Sequence, residues 1–488
     1  MNEYFVEQYM NTWLKKQNET SCQEQKNLFT KRQYLELFKE VMTTLKNNKD
    51  KSLEELREIL YENSNIEERI HHFVYQRGMV PGLVISYGTN HYQETLVVGN
   101  RQEVVMDKEK VEKMTVDSIF DLASITKLFT SLSILKLVEY NIIHLDDKVR
   151  EIVPQFKNLK DTTIFDLLAF QVPLKTKGRV DKANSKEEGE QLLFDIEIDE
   201  TNMNERPYTD MGAMILKYVI EKVTNLPYYE FLEREILKPN GLKNTIIKPT
   251  EEQLKRIVPT NQDGKYYKDG NYSISHDPKI GVVYDPKARI MGEEGMSLCG
   301  HAGLFSDQKD MTTLAKKLMN HKILDKKLLI ELAKNRTGRI LEEENKQKYI
   351  QYLGYLCYSK NPNLPDSEVY HPLSGQAFAS AGWTGTQLTV DPINDIYFFL
   401  AGNRSHNRMT YIDPIQRDKI KTDENGKKII TLPNGLEMID ATRFAWDRDS
   451  EIVHPTITLA IKYKMLEDMI LFYEKELTKS EKVKQIKK

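Results

Sequence analysis

A serine and a lysine lie three residues apart at the start of an apolar segment, and this pair could carry out acyl transfer. Ser124 and Lys127 precede a stretch without Gly or Pro, Leu128 to Tyr140, that is typical of a mostly buried helix. Ser124, Lys127 and Ser131 share one helix face because they are spaced i, i+3 and i+7. A serine hydroxyl is a poor nucleophile until a base removes its proton. The pair therefore predicts nucleophilic catalysis with Ser124 as nucleophile and Lys127 as base.

The predicted surroundings of Lys127 favour this chemistry. Burial in an apolar helix disfavours an ammonium, so we expect the pKa of Lys127 to fall toward the working range. The positive end of the helix dipole favours an alkoxide at Ser124, and backbone N–H groups there can contribute to an oxyanion hole. An S-x-x-K pattern also occurs by chance in lysine-rich chains. The apolar helix around the pair is therefore essential to the interpretation.

The segment from Phe120 to Lys127 resembles the nucleophile motif of the β-lactamase-related serine hydrolases. That family includes class C β-lactamases, D-Ala-D-Ala carboxypeptidases and other low-molecular-weight penicillin-binding proteins, and related esterases and transesterases. Four further segments resemble later motifs of the family and occur in the same order along the chain. These segments are Tyr208 to Asp210, Gly281 to Pro286, Gly300 to Ser306 and Ala379 to Thr386. The resemblance covers residues 78–406 and 454–475.

The resemblance implies a role for each matched residue. Ser124 would attack the acyl carbon, Lys127 would take or relay its proton, and the phenol of Tyr208 would act as a second base. Asp210 stands where the family often has an asparagine that contacts the substrate amide. The backbone N–H groups of Ser124 and Trp383 would form the oxyanion hole.

The third family motif is altered in this chain. Ser380 and Ala381 stand where the family usually has Lys or His followed by Thr, whereas Gly382 is retained. The missing cation and hydroxyl commonly help to hold a substrate carboxylate, and a charge-assisted hydrogen bond contributes about 1.5–3 kcal/mol. Gly382 still permits the strand to approach an acyl group closely. We expect Ser380, Gly382 and Trp383 to lie on the acyl-binding side of the site, without the carboxylate anchor.

Three other segments border or support the predicted site. Residues 169–172 read Ala-Phe-Gln-Val where the family usually has His-Thr-Ser-Gly, so the pocket wall is predicted to differ. The charged segment 174–190 is predicted to form its rim. The block around His301 supports the family's site, so we expect a structural role for that histidine. The remaining histidines show no metal spacing, and we expect neither a metal nor a cofactor.

The elements that must position these residues follow an α+β pattern. Strand patterns at Leu83 to Tyr87 and Thr95 to Val98 are followed by helices and loops, and strands return only at Gln387 to Val390 and Ile396 to Ala401. Strands at both ends predict one antiparallel sheet closed by distant segments. The resemblance implies a β-lactamase/transpeptidase-like fold, in which such a sheet is flanked by helices and joined by an all-helical subdomain.

The predicted domain organisation has three parts. Residues 1–64 form a helical N-terminal extension, residues 65–477 form the serine hydrolase domain with an insertion at 407–453, and residues 478–488 form a lysine-rich tail. Two interpretations of the extension remain open. It packs on the main domain, or it forms a module that binds a protein partner.

The composition limits the possible partners and compartment. A net charge of −3, from 70 basic and 73 acidic residues, gives no reason to expect nucleic acid. Three scattered cysteines, Cys22, Cys299 and Cys357, fit a reducing compartment. The first residues show no secretory-signal pattern, and no apolar run approaches the ~20 residues that span a bilayer. We therefore expect a cytoplasmic protein.

Together these observations predict a serine hydrolase that acts through an acyl-enzyme on a small-molecule or peptide ester or amide. An acyltransferase or transesterase of the same fold is one alternative. A catalytically silent binding or scaffold protein is another, because the altered third motif is also compatible with a site that no longer works. A cytoplasmic location argues against cell-wall peptidoglycan as the substrate.

Overall fold

The computed structural model describes residues 3–19, 31–103, 111–202, 208–260, 262–274, 280–292, 296–338, 351–361 and 367–486. Its α-helices are α1 (Glu3–Glu19), α2 (Lys31–Asn47), α3 (Leu53–Glu62), α4 (Ile66–His71), α5 (Thr126–Glu139), α6 (Val149–Ile152), α7 (Ile164–Leu168), α8 (Lys186–Phe194), α9 (Met211–Thr224), α10 (Tyr228–Leu232), α11 (Lys238–Asn240), α12 (Glu251–Leu254), α13 (Pro286–Met291), α14 (Gln308–Met319), α15 (Lys326–Ala333), α16 (Phe444–Arg448) and α17 (His454–Ile486). Its strands are β1 (Gly82–Gly88), β2 (Gln93–Gln102), β3 (Glu112–Lys113), β4 (Phe120–Asp121), β5 (Leu174–Lys175), β6 (Glu197–Ile198), β7 (Gln262–Tyr266), β8 (Tyr272–Ile274), β9 (Phe305–Ser306), β10 (Tyr358–Ser359), β11 (Phe378–Gly382), β12 (Thr386–Asp391), β13 (Ile396–Gly402), β14 (His406–Ile412), β15 (Ile420–Thr422), β16 (Lys428–Thr431) and β17 (Glu437–Asp440).

The main sheet is antiparallel and has the strand order β10-β11-β12-β13-β1-β2-β3. β1 lies between β13 and β2, with Leu83 opposite both Gly402 and Val98. β1 and β13 are buried along their whole length because helices cover both faces of the sheet. Successive side chains of a strand point to opposite faces, so Val84 joins one apolar cluster while Leu83 joins the other. The predicted α+β fold, with a sheet closed by distant segments, is confirmed.

The helix that follows Ser124 is the centre of one apolar cluster. Residues of α5 from Thr126 to Leu135 are all buried, and α9 packs against it. Because α5 is buried on nearly every side, it is a core helix rather than a surface helix with one apolar stripe. The nucleophile segment is therefore anchored by a buried helix.

The N-terminal helices lie against the other face of the main sheet, together with α17. Ser52 caps α3 in a capping box with Glu55, as its sequence predicts. Phe38 of α2 is 1% exposed and belongs to the same apolar cluster as residues of β1, β13 and α17. Lys462 of α17 donates a 2.6 Å hydrogen bond to Glu40 of α2. These contacts make α2 part of a core that it shares with the main sheet.

Replacing Phe38 by alanine is expected to lower the free energy of unfolding of the whole chain by about 3–5 kcal/mol, since it removes a fully buried aromatic ring. Urea unfolding of both proteins measures the change. The exposed neighbour supplies a control, because Lys39→Ala should change the free energy by no more than about 0.5 kcal/mol. Equal effects of the two substitutions would show that α2 does not unfold with the main domain.

A second, mixed sheet has the order β15-β16-β17-β14-β7-β8. β14 is parallel to both β7 and β17, whereas the other pairs are antiparallel. The segment predicted as an insertion at 407–453 therefore joins residues 262–274 through backbone hydrogen bonds. The C-terminal helix α17 continues to Ile486, into the residues predicted to form a lysine-rich tail, and the domain boundaries stay predictions. Within the described ranges no helix combines the length and the apolar character needed to cross a membrane.

Candidate active site

Ser124 lies in a tight turn between β4 and α5. Residues Ala123–Ile125 form one turn of 3-10 helix, and Ala123 has a φ of +46°, a left-handed conformation that is rare for alanine. The carboxylate of Asp121 accepts hydrogen bonds from the backbone N–H groups of Ala123, at 2.8 Å, and of Tyr284, at 2.6 Å. Burial raises the pKa of Asp121 to about 6. Asp121, whose role was not predicted from the sequence, thus holds the strained turn in place.

The structure brings four of the predicted site residues together. Lys127 is fully buried, and its Nζ lies 2.9 Å from Ser124 Oγ. The same Nζ lies 2.7 Å from Asp210 Oδ1 and 4.7 Å from the centre of the Tyr208 ring. Ser124 and Lys127 come from one chain segment, whereas Tyr208 and Asp210 come from the residues just before α9. The close packing of α5 against α9 fixes the distance between the two segments.

The expected fall in the pKa of Lys127 is wrong. Burial does lower it, but the charge of Asp210 and hydrogen bonds to Asp210 and Tyr208 outweigh burial and raise the pKa above its ordinary value. The pKa of Asp210 moves in the opposite direction. Burial raises it, but the positive charges of Lys127, His301 and Lys287 hold it well below its usual range. Lys127 is therefore an ammonium in the resting site, paired with a carboxylate.

The ring of Tyr208 stacks against two other aromatic rings. The centre of the Phe170 ring lies 5.4 Å from that of Tyr208, and the Tyr358 ring stacks nearly parallel at 5.5 Å. Phe170 has a φ of +53°, which is again left-handed. It belongs to the segment that replaces the family's His-Thr-Ser-Gly. The altered segment therefore supplies a side chain that fixes the orientation of Tyr208, by a contact that was not predicted from the sequence.

Asp210 begins a chain of charged groups that leads away from Ser124. Its Oδ2 lies 3.0 Å from Lys287 Nζ, and that Nζ also lies 3.1 Å from Asp285 Oδ2. The other oxygen of Asp285 lies 2.9 Å from His301 Nε2. Asp285 also caps α13, with proline following at the first helical position, and this places Lys287 in the first turn. We call Lys127, Asp210, Lys287, Asp285 and His301 the ion chain.

His301 is 1% exposed and carries a positive charge. Its Nδ1 faces the carbonyl oxygen of Cys299 at 3.2 Å, while its Nε2 faces the Asp285 carboxylate. Since both partners only accept hydrogen bonds, both ring nitrogens must donate. Burial lowers the pKa of His301, but Asp285 and Asp210 outweigh it and raise the pKa to about 10. His301 therefore contributes a charge to the site, in addition to the structural role expected from the sequence.

Asp210, Asp285 and His301 each present a polar atom within 4.8 Å of the others, a spacing compatible with a metal ion. The position between the two carboxylates is taken by the ammonium of Lys287. His301 has no lone pair to offer, because both of its ring nitrogens donate hydrogen bonds. These side chains therefore satisfy one another as an ion network of the protein's own charges.

The altered third motif still docks against the nucleophile turn. The Thr386 hydroxyl donates to the carbonyl of Leu122 at 3.2 Å. A Cβ at Gly382 would overlap Thr386 Oγ1 and the Leu122 carbonyl oxygen, and would lie 3.3 Å from Ala123 Cβ. Only glycine fits at this position, as the sequence predicts for a strand that must come close to the acyl group.

Ser380 and Trp383 lie at different depths. Ser380 is buried in β11, opposite Leu388 of β12, and does not line the cavity beside Ser124. Trp383 is 44% exposed and does line it, with its ring stacked on Tyr284 at 6.5 Å. The structure thus places Trp383 at the cavity wall and leaves Ser380 behind it.

Ser124 opens into a cavity of about 790 Å³. Its walls are formed by Ala123, Ser124, Thr176, Lys177, Gly178, Arg179, Val180, Asp181, Tyr208, Thr209, Asp210, Met211, Lys265, Tyr284, Asp285, Lys287, Ala302 and Trp383. The predicted rim therefore reaches the cavity through residues 176–181. Lys265 comes from β7, so the second sheet also contributes to the wall. Ser380 replaces the cation of the family's third motif, but another element, α13, brings the cation of Lys287 to the cavity wall.

Comparison with known proteins gives the family. Residues 70–420 match the Beta-lactamase family. A protein of Salmonella gallinarum (strain 287/91 / NCTC 13346) that carries the provisional name D-alanyl-D-alanine carboxypeptidase is 30% identical over 327 residues, which cover 60% of this chain and 71% of that protein. A protein of the same name from Salmonella typhi is 30% identical over 321 residues, with the same coverage.

Solved structures agree with this assignment at the level of the fold. The class C β-lactamase of Rhodobacter sphaeroides has a TM-score of 0.52 at 16% identity, covering 70% of this chain and 94% of that one. EstCE1, a hydrolase with promiscuous acyltransferase activity, has a TM-score of 0.57 at 15% identity, covering 81% and 99%. The simvastatin synthase LovD of Aspergillus terreus has a TM-score of 0.54 at 17% identity, covering 72% and 94%. The chain therefore belongs to the β-lactamase family and is a serine hydrolase that acts through an acyl-enzyme.

Proposed function

We propose that Ser124 is the nucleophile of this enzyme and that it attacks the carbonyl carbon of an ester or amide in a small molecule or peptide. The observation that carries the proposal is the 2.9 Å contact between Ser124 Oγ and Lys127 Nζ, at the wall of a cavity large enough for a substrate. A nucleophile within hydrogen-bond reach of its base is the arrangement that serine acyl transfer requires.

The neighbouring residues take complementary roles in the proposal. Lys127 relays the proton of Ser124, and Tyr208 acts as the second base, held by its two aromatic neighbours. Asp210 orients Lys127. The backbone N–H groups of Ser124 and Trp383 stabilise the negative charge that develops on the acyl oxygen, which the close docking of Gly382 against the turn supports.

The substrate class follows from what surrounds the nucleophile. Ser380 offers no cation to a substrate carboxylate, so the third-motif anchor is absent. The carboxypeptidase name of the sequence relatives makes peptide amides one class to test. The proposal keeps the cytoplasmic location predicted from the cysteine pattern, which would direct the enzyme to small esters, peptides or biosynthetic intermediates.

Covalent labelling by a fluorophosphonate tests the proposal. We expect one adduct by intact mass, on the peptide that contains Ser124. A panel of activated esters, amides, β-lactams and D-Ala-terminated peptides then identifies the substrate class, and an added alcohol or amine acceptor distinguishes transfer from hydrolysis. A folded wild-type protein that forms no adduct on Ser124 would remove the proposal.

A further inference from the structure

Asp210 is shared between two ammonium groups. Its Oδ1 lies 2.7 Å from Lys127 Nζ and its Oδ2 lies 3.0 Å from Lys287 Nζ, so each oxygen has its own cation. Lys287 is fixed in turn by Asp285, at 3.1 Å. The side chain of Lys287 is 16% exposed and lines the same cavity as Ser124. It is therefore close enough to the nucleophile to influence the charge on Lys127 through Asp210.

The charges of the ion chain show how the sharing of Asp210 affects the protonation of Lys127. With all groups ionised, the three cations Lys127, Lys287 and His301 face the two carboxylates, and the net charge is positive. Loss of one proton from Lys127 leaves two cations and two anions, which balance. If Lys287 were absent, the same loss would leave a net negative charge in a partly desolvated site, where unbalanced charge is costly.

We propose that Lys287 is a positioning residue that shares Asp210 with Lys127 and thereby eases the loss of the Lys127 proton that precedes acylation. This inference rests on the proposed function. The Lys127 ammonium first releases a proton to solvent. The neutral amine then accepts the hydroxyl proton of Ser124 as Ser124 Oγ bonds to the acyl carbon, and the carbonyl electron pair moves to the acyl oxygen.

Several ionisable groups face these two lysines. Asp210 and Tyr208 face Lys127 from the segment before α9. Asp210 and Asp285 face Lys287 at ion-pair distance, and Asp181 at the cavity wall also interacts with its charge. His301 contacts Asp285, and its charge also acts on Asp210. The proposal therefore predicts that removing the cation of Lys287 and removing the anion of Asp210 shift the pKa of Lys127 in opposite directions.

The rate of fluorophosphonate labelling between pH 6 and 10 tests the proposal, because labelling speeds up as Lys127 loses its proton. Lys287→Met removes the ammonium that is paired with Asp210 Oδ2, so Asp210 stabilises the charged form of Lys127 more strongly and the pKa of Lys127 rises. We expect the rising part of the profile to move to higher pH by about one unit, so labelling at a fixed pH on that part slows about tenfold. Asp210→Asn removes the anion and should move the profile to lower pH by about one to three units.

Three controls make the result decisive. Lys287→Arg keeps the charge and should restore the wild-type position of the profile, whereas Lys287→Gln should repeat the shift if the methionine variant folds poorly. Lys148→Met removes an exposed charge that is paired with Asp161, away from this site, and should not move the profile. Shifts of Lys287→Met and Asp210→Asn in the same direction, or no shift for either neutral Lys287 variant, would overturn the proposal. If the proposed function itself is wrong, the wild-type protein will instead form no adduct on Ser124 at any pH.

Discussion

The Ser124→Ala variant is expected to lose acylation by a factor of about 10⁴ or more, while keeping its fold. The hydroxyl is the nucleophile of the proposal, and its oxygen lies 2.9 Å from the Lys127 ammonium. Alanine leaves the turn unchanged, because neither the Asp121 contacts nor the backbone of α5 involve the serine hydroxyl. Burst kinetics with an activated ester measure the acylation rate directly.

A serine in the same helix provides the matched control. Ser133 is buried in α5, where its hydroxyl donates to the carbonyl of Phe129 one turn earlier, at 2.8 Å, and also bonds to the Tyr228 side chain. Ser133→Ala should therefore acylate at close to the wild-type rate. Retention of the burst in Ser124→Ala, or an adduct mapped to another residue in the wild type, would show that the nucleophile lies elsewhere.

Gly382→Ala is expected to slow acylation by about 10²-fold, the cost of misplacing one oxyanion donor. The added methyl group would overlap the Leu122 carbonyl oxygen and Thr386 Oγ1, so β11 must move away from the nucleophile turn. The backbone N–H of Trp383 moves with it. Overpacking of this kind also lowers the free energy of unfolding, by about 1–3 kcal/mol. The effect should appear in kcat for good ester substrates, since the oxyanion develops only after binding.

A substitution at another glycine of the same sheet serves as the control for the added methyl group. A Cβ at Gly402 of β13 would have its nearest neighbour at 3.3 Å, so Gly402→Ala requires a much smaller shift. We expect that variant to acylate within a few-fold of wild type. If Gly382→Ala loses stability but retains kcat, the close docking of β11 is structural and the oxyanion is stabilised by other groups.

Features that depend on neighbouring residues in the chain could be predicted from the sequence. The apolar run after Ser124 gives a buried helix, the Ser52 capping box starts α3, and short apolar runs locate β1 and β13. The Ser124–Lys127 contact follows from the i, i+3 spacing alone. These features need no knowledge of what packs against them.

The charge on Lys127 could not be predicted in this way. Its pKa depends on Asp210 and, through it, on Lys287, and both come from segments far along the chain. The sequence indicates burial, which lowers a lysine pKa, but not the carboxylate that reverses it. A usable signal for Lys287 was present: Asp285 followed by Pro286 is a helix N-cap pattern that places the next residue in a first turn beside the site. The stacking of Phe170 on Tyr208 had no comparable local signal.

The pairing of β1 with β13 has a consequence for how the chain folds during its synthesis. Residues 82–88 and 396–402 are neighbours in the sheet, yet more than three hundred residues separate them along the chain. A ribosome adding roughly 5–20 residues per second must therefore hold β1 without its partner for many seconds. Throughout that interval the apolar surface of β1 can pair only with β2, and contacts between such distant segments form slowly. Chaperone dependence of the nascent chain should consequently persist until β13 has left the ribosome.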